Sequence, residues 1–195
     1  RIEVEIARLL ANADPDDRNA DGIRGRANQV WNQAQGQTTL GRFGWKAGQP
    51  SLAQQNAAAF AHDMGLTSAM EGLDNCSARQ IDCLQAANGG TEEVSANIFA
   101  SVQFYSRNLA VPARRDIDQP QARRGQALFT DAGCTACHVP SFTTASKAAE
   151  PELAGQKIYP YSDLLLHDMG QGLADNRPEF SASGRDWRTP PLWGL

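Results

Sequence analysis

The amino-acid sequence predicts a mainly α protein with long Gly/Pro-rich loops and little sheet. Apolar residues recur at helical spacing in four stretches. No two alternating runs are joined by a hairpin turn, which argues against extended sheet. The 17 Gly and 10 Pro mark long loops, notably residues 32–50, 139–160 and 170–195. With 195 residues, 41% of them apolar and 21% charged, the chain has ordinary globular composition and enough length for a core. A net charge of −4 argues against nonspecific nucleic-acid binding as the main task. The longest aliphatic run, Leu164-Leu165-Leu166, falls far short of the ~20 residues that span a bilayer.

Each element has its own signal. Ile2, Ile6, Leu9 and Leu10 are spaced for a helix over residues 2–10. Ser51 and Gln54 have capping-box spacing and open an Ala-rich helix that runs to Phe60 and Met64. Thr91 reads as the cap of a third helix. Glu92 and Glu93 suit its positive end, and Val94, Ile98, Val102, Tyr105 and Leu109 form an inward stripe before Pro112. A fourth helix is expected from Gln121 to Thr130, with Ala122, Leu128 and Phe129 inward and Gly133 ending it. His62-Asp63-Met64-Gly65 recurs as His167-Asp168-Met169-Gly170, either by chance or as a trace of two similar subdomains. The start at Arg1 and the apolar finish through Pro190-Pro191-Leu192 read as a processed or partial chain.

Cys134-Thr135-Ala136-Cys137-His138 carries the chemistry. This is the C-x-x-C-H pattern of covalent c-type haem attachment. On a helical turn the three side chains share a face. Cys134 and Cys137 can form thioethers to the two vinyl groups of one haem while His138 reaches the iron as proximal ligand. A redox dithiol would sit after a strand in a βαβ unit, and a structural zinc site would need two further ligands nearby. The remaining cysteines, Cys76 and Cys83, lie more than 50 residues away.

Gly125-Gln126-Ala127-Leu128-Phe129, followed by Gly133-Cys134, resembles the N-terminal helix of a class I cytochrome c, in which a Gly permits close helix packing. Arg107, Arg114, Arg115, Arg123 and Arg124 can neutralise haem propionates or form a solvated basic face. Gly41-Arg42-Phe43-Gly44-Trp45-Lys46-Ala47, Leu109-Ala110-Val111-Pro112-Ala113-Arg114-Arg115, the segment from Tyr161 to Gly170 and Trp187-Arg188-Thr189-Pro190-Pro191-Leu192-Trp193-Gly194-Leu195 add a second resemblance. Together they resemble the dihaem, thiol-oxidoreductase-like proteins related to bacterial dihaem cytochrome c peroxidase and MauG. The resemblance covers about residues 14–195. It implies a periplasmic enzyme of two cytochrome c-type lobes, in which one haem receives electrons and the other meets peroxide.

The chain has one C-x-x-C-H, so the expected organisation is a helical linker and partial first lobe over 1–111. A cytochrome c-like haem lobe, truncated at its C-terminus, would follow over 112–195. The implied function is the electron-relay lobe of a dihaem peroxidase-like oxidoreductase, an enzyme when intact, with a redox partner protein or the missing haem lobe as partner. A monohaem cytochrome acting only in electron transfer is the alternative. The resemblance also implies that the sixth iron ligand comes from a segment after Leu195. The distal side would then be open, water-bound or weakly held by Met169, with His167, Met64 and His62 as the other candidates. Trp45 corresponds to a tryptophan between the two haems, where it either relays electrons or packs a loop.

Cys76 and Cys83 would sit about 10.5 Å apart along one continuous helix, too far for a disulfide. Ser77 looks like a helix start, so Cys76 falls in the preceding loop and can fold back. An oxidising compartment then favours a Cys76–Cys83 disulfide over two buried thiols. Asp17-Arg18-Asn19-Ala20-Asp21-Gly22 has the D-x-[DN]-x-[DN]-G spacing of a calcium loop. Asp17, Asn19 and Asp21 are its candidate ligands. Its twelfth position is Asn28 and not a bidentate Glu, so a metal-free Asp-rich turn is the competing reading.

Overall fold

The computed structural model describes residues 4–148 and 150–193. Among the described residues five α-helices, α1 (Ile6–Leu10), α2 (Leu52–Asp63), α3 (Ile81–Gln85), α4 (Ala96–Asn108) and α5 (Pro120–Asp131), are joined by long loops. Six short strands among the same residues, β1 (Gln29–Asn32), β2 (Gln37–Leu40), β3 (Phe142–Thr143), β4 (Lys157–Ile158), β5 (Leu166–Asp168) and β6 (Asp186–Arg188), form three two-stranded antiparallel sheets. Helix accounts for 30% and strand for 13%. The fold is therefore mixed, which corrects the expectation of a mainly α, cytochrome c-like lobe. Among the described residues no cytochrome fold is shown.

The missed sheets have physical causes. β1 and β2 are only four residues each, and their turn closes at Gly36 with φ +61°. On β1 the apolar Trp31 points outward and the polar Asn32 inward, so no apolar/polar alternation marks the strand. β5 and β6 pair across nearly twenty residues of loop, Leu166 with Arg188 and Asp168 with Asp186. No local turn signal announces such a pairing.

Ser51 caps α2, its hydroxyl accepting from the Gln54 N–H at 3.2 Å. Helix α4 starts four residues later than expected. Thr91 does not cap it, because Glu93 instead accepts from the Thr67 and Gly89 N–H groups and Val94 bridges Ser68. Its packed face also differs. Phe99 meets Phe60 of α2 at 6.3 Å between ring centroids, while Ile98, Tyr105 and Leu109 of the expected stripe are exposed. On α5 Leu128 is likewise exposed, and the space where a Cβ on Gly125 would sit is open, so no helix packs closely there. The two His-Asp-Met-Gly copies take different structures, one at the end of α2 and one on β5, so they mark no structural repeat.

The main hydrophobic cluster joins Val4, Leu9 and Leu40 to Phe142, Ile158 and Leu164, drawing on both sides of Val111. Cys76 and Cys83 form a disulfide with Cα atoms 5.9 Å apart, Cys76 in the loop before α3. Ile2 of the expected first helix, and Gly194 and Leu195 of the C-terminal motif, lie outside the described residues. No described helix is long and apolar enough to cross a membrane.

Candidate functional site: a haem-attachment cavity

Helix α5 ends at Asp131, and Gly133 follows with a φ of +78° that only a glycine adopts without strain. The chain then turns through a 3₁₀ segment, Cys134–Ala136, before His138. Cys134 is exposed and Cys137 half-buried, both as free thiols. They open onto a cavity of about 540 Å³ whose wall is mostly apolar, including Ile23, Leu173, Trp187 and Pro190.

The segment after the motif wraps back onto it. The Ser162 N–H donates to the Val139 carbonyl at 3.1 Å and the Asp163 N–H to the Cys137 carbonyl at 2.9 Å. Tyr161 and Leu164 take left-handed φ values of +50° and +59°, strain that the surrounding bonds hold in place. One result is the Tyr161 carbonyl lying 2.7 Å from His138 Nδ1. A carbonyl can only accept, so Nδ1 carries the proton and Nε2 keeps its lone pair. Imidazoles that ligate metals are commonly oriented by such a bond. Phe129 closes the other side, edge-on to His138 at 6.1 Å and to Tyr161 at 5.7 Å.

His167 faces the same cavity from β5. Its Nε2 is 2.8 Å from Asp163 Oδ2 and its Nδ1 is 3.7 Å from Cys137 Sγ. Burial alone disfavours the charged ring, but Asp163 outweighs it, with help from the free Cys137 thiol, and lifts the pKa to about 9. Close approach is built in at Gly25, where a Cβ would lie 3.0 Å from His167 Cε1. Met169 also lines the cavity and is half exposed, whereas His62 and Met64 belong to neither wall. Trp45 lines the cavity and is 78% exposed.

None of the five arginines read as either propionate partners or a solvated basic face lines this cavity. Arg107 pairs with Glu150, Arg123 with Asp118, and Arg114 stacks on Tyr159 and Tyr161. Arg188 does line it, its Nε donating to the Gly44 carbonyl at 2.8 Å. Burial pulls its guanidinium below the ordinary range, an effect Asp163 partly offsets. Sequence reasoning missed Arg188 and Trp187 because their roles depend on the β5–β6 pairing, and Asp163 because its approach to His167 depends on the left-handed backbone at Leu164.

The Asp-rich loop is held by hydrogen bonds among its own residues. Gly22 N–H donates to Asp17, Ile23 N–H to Asp21, and the Asn19 amide to Asp21 at 2.9 Å. Its oxygens satisfy the turn itself. Among the described residues no group of three or more His, Cys, Asp or Glu could hold a metal ion.

The donor set fits a c-type haem. Two free thiols flank an apolar cavity, and the adjacent imidazole is held in the tautomer that leaves Nε2 unprotonated. No curated protein and no solved structure matches the chain. A family described as "Di-haem oxidoreductase, putative peroxidase" matches residues 2–195. With nearly the whole chain matched, this protein belongs to the di-haem oxidoreductase, putative peroxidase family.

Proposed function

We propose that this chain is the electron-relay unit of a dihaem peroxidase-like oxidoreductase, holding one haem c. Cys134 and Cys137 would carry the thioethers and His138 would ligate the iron. The observation that carries this reading is the Nδ1–H of His138 donating to the Tyr161 carbonyl beside two free thiols at an apolar cavity. When bound, the haem supplies one-electron redox chemistry. The chain's own residues would offer it an apolar wall and orient its ligand. Arg188 sets a positive charge on the cavity wall, and Phe129 and Tyr161 fix the imidazole plane. Met169 lines the same cavity and would be a candidate second ligand to the iron.

The sequence holds one C-x-x-C-H, so the second haem of the family would come from another segment or a partner protein. Thioether attachment and the Cys76–Cys83 disulfide both suit an oxidising compartment, which supports a periplasmic location. Intact mass measured after acid denaturation tests the assignment. The expected result is the polypeptide plus one haem, lost in Cys134→Ala/Cys137→Ala. An apo mass from cells that mature c-type cytochromes would overturn it.

A further inference from the structure

Two tryptophans line the cavity, and their surroundings differ. Trp45 is 78% exposed. Trp187 is half-buried on β6, opposite His167, with its indole N–H donating to the Leu173 carbonyl at 2.9 Å. Lys46, next to Trp45 in sequence, places Nζ 4.3 Å from the Trp187 ring centroid. Only 2% of Lys46 is exposed, and three acceptors fix its ammonium: Asp175 Oδ1 at 2.9 Å and the carbonyls of Ser183 at 3.0 Å and Asp186 at 3.3 Å. Because the Arg188 N–H donates to the Trp45 carbonyl at 2.9 Å, the two tryptophan-bearing segments are also held together.

An ammonium over an indole face favours the neutral, electron-rich ring. The same Coulomb interaction opposes the positive charge that the ring gains when it loses an electron. Asp175 is one-third exposed, so water screens its compensating charge, whereas Lys46 is nearly dry. Proton transfer points the same way. An oxidised indole relaxes by shedding its N–H proton. The Leu173 carbonyl accepts a hydrogen bond but is no base for that proton, while exposed Trp45 can release one to water.

We infer that Lys46 shields Trp187 from one-electron oxidation and thereby directs an electron hole arising at this cavity to Trp45. Lys46 is a positioning residue here, acting through the indole it covers. The inference deepens the oxidoreductase reading and rests on it for its purpose, but its test does not need peroxide turnover.

The purified protein is exposed to photogenerated tris-bipyridine ruthenium(III), an outer-sphere one-electron oxidant, and oxygenated tryptophans are mapped by peptide mass spectrometry. Each event balances as tryptophan plus water plus two ruthenium(III) giving hydroxytryptophan, two protons and two ruthenium(II). Trp31, half exposed on β1, is the internal reference. In the wild type, Trp45 should oxidise at least as fast as Trp31, and Trp187 about tenfold more slowly. Lys46→Gln should raise Trp187 oxidation about tenfold against Trp31, while Lys46→Arg, which keeps the charge, should not. Asp175→Asn leaves the ammonium uncompensated and should lower Trp187 oxidation further, where mere loosening of packing would raise it. The inference fails if Trp187 keeps pace with Trp31 in the wild type, if the Gln and Arg variants behave alike, or if Asp175→Asn raises Trp187 oxidation. Because the oxidant is external, an inactive peroxidase would leave these outcomes unchanged.

Discussion

His167 and Asp163 show how a buried pair near the cavity couples charge to stability. The imidazole is 9% and the carboxylate 1% exposed, with 2.8 Å between Nε2 and Oδ2. The folded pKa of about 9 lies above the ordinary histidine value of 6.5, so the protonated ring is bound more tightly in the folded chain. That contribution is complete below pH 6.5 and is lost as pH rises through about 9. Asp163→Asn should therefore cost about 3 kcal/mol near neutrality, the usual penalty for stranding one member of a buried pair. Its melting temperature should also change less than the wild type's between pH 6.5 and 9.5. Parallel pH-dependent melts of the two proteins, before haem attachment, check both expectations. At this scale the sequence was most informative where chemistry dictates spacing. Cys134, Cys137 and His138 are legible because two vinyl groups and one iron demand that interval. Asp163 was not, since its approach to His167 depends on left-handed backbone at Leu164, a conformation no leucine advertises.

The start of α2 was legible in the sequence, whereas the start of α4 and its packed face were not. Ser51 caps α2 because a short hydroxyl satisfies an orphan N–H wherever the helix begins, a purely local matter. Which side of α4 is covered depends on where α2 lies, and that is a tertiary fact. The apolar stripe through Ile98, Tyr105 and Leu109 points outward, while Phe99 packs on Phe60. Phe99→Ala should consequently cost about 1–2 kcal/mol, reduced from a full core value because the ring is only half-buried. Ile98→Ala should stay within about 0.5 kcal/mol. Urea denaturation of both variants decides between the faces, and a reversed order would restore the stripe as the packed side. The loop before α3 gives a further case. Closing the short span between Cys76 and Cys83 removes unfolded-chain entropy worth about 2.5 kcal/mol on the loop-length relation. Cys76→Ser/Cys83→Ser should lower stability by up to that amount, read from the same denaturation curves.

At the scale of the whole molecule, segments around residues 26–46 and 166–188 meet beside the cavity. Arg26 and Leu166 exchange backbone hydrogen bonds, and Asn28 donates to the carbonyls of Lys46 at 2.8 Å and Glu179 at 3.2 Å. Asn28 is thus a fully buried clasp, a use unrelated to the calcium loop whose twelfth position it occupies. Contacts across more than a hundred residues leave no periodic trace, which is why the mixed fold could not be read while its helices could. Arg26 and Asp186 form an ion pair across this seam at 2.6 Å, with the carboxylate nearly dry and the guanidinium one-third exposed. Burial alone would raise the Asp186 pKa, but the Ser183 hydroxyl and N–H and the Arg26 charge outweigh it and hold the group below its ordinary 3.8. A lowered folded pKa means stability that is fully present above pH 3.8 and lost as pH falls below it. Asp186→Asn strands Arg26 and weakens the Ser183 contacts, so it should cost about 2–3 kcal/mol at pH 7, less than a fully dry pair because Arg26 still meets water. Its deficit against the wild type should hold steady down to about pH 4 and then shrink, as protonation removes the same interaction from the wild type. Because the seam joins both halves of the chain, the loss should lower one cooperative melting transition and not split it in two. Calorimetry from pH 7 to pH 3 tests this, and a deficit that widens in acid would show that Asp186 is held by packing and not by charge.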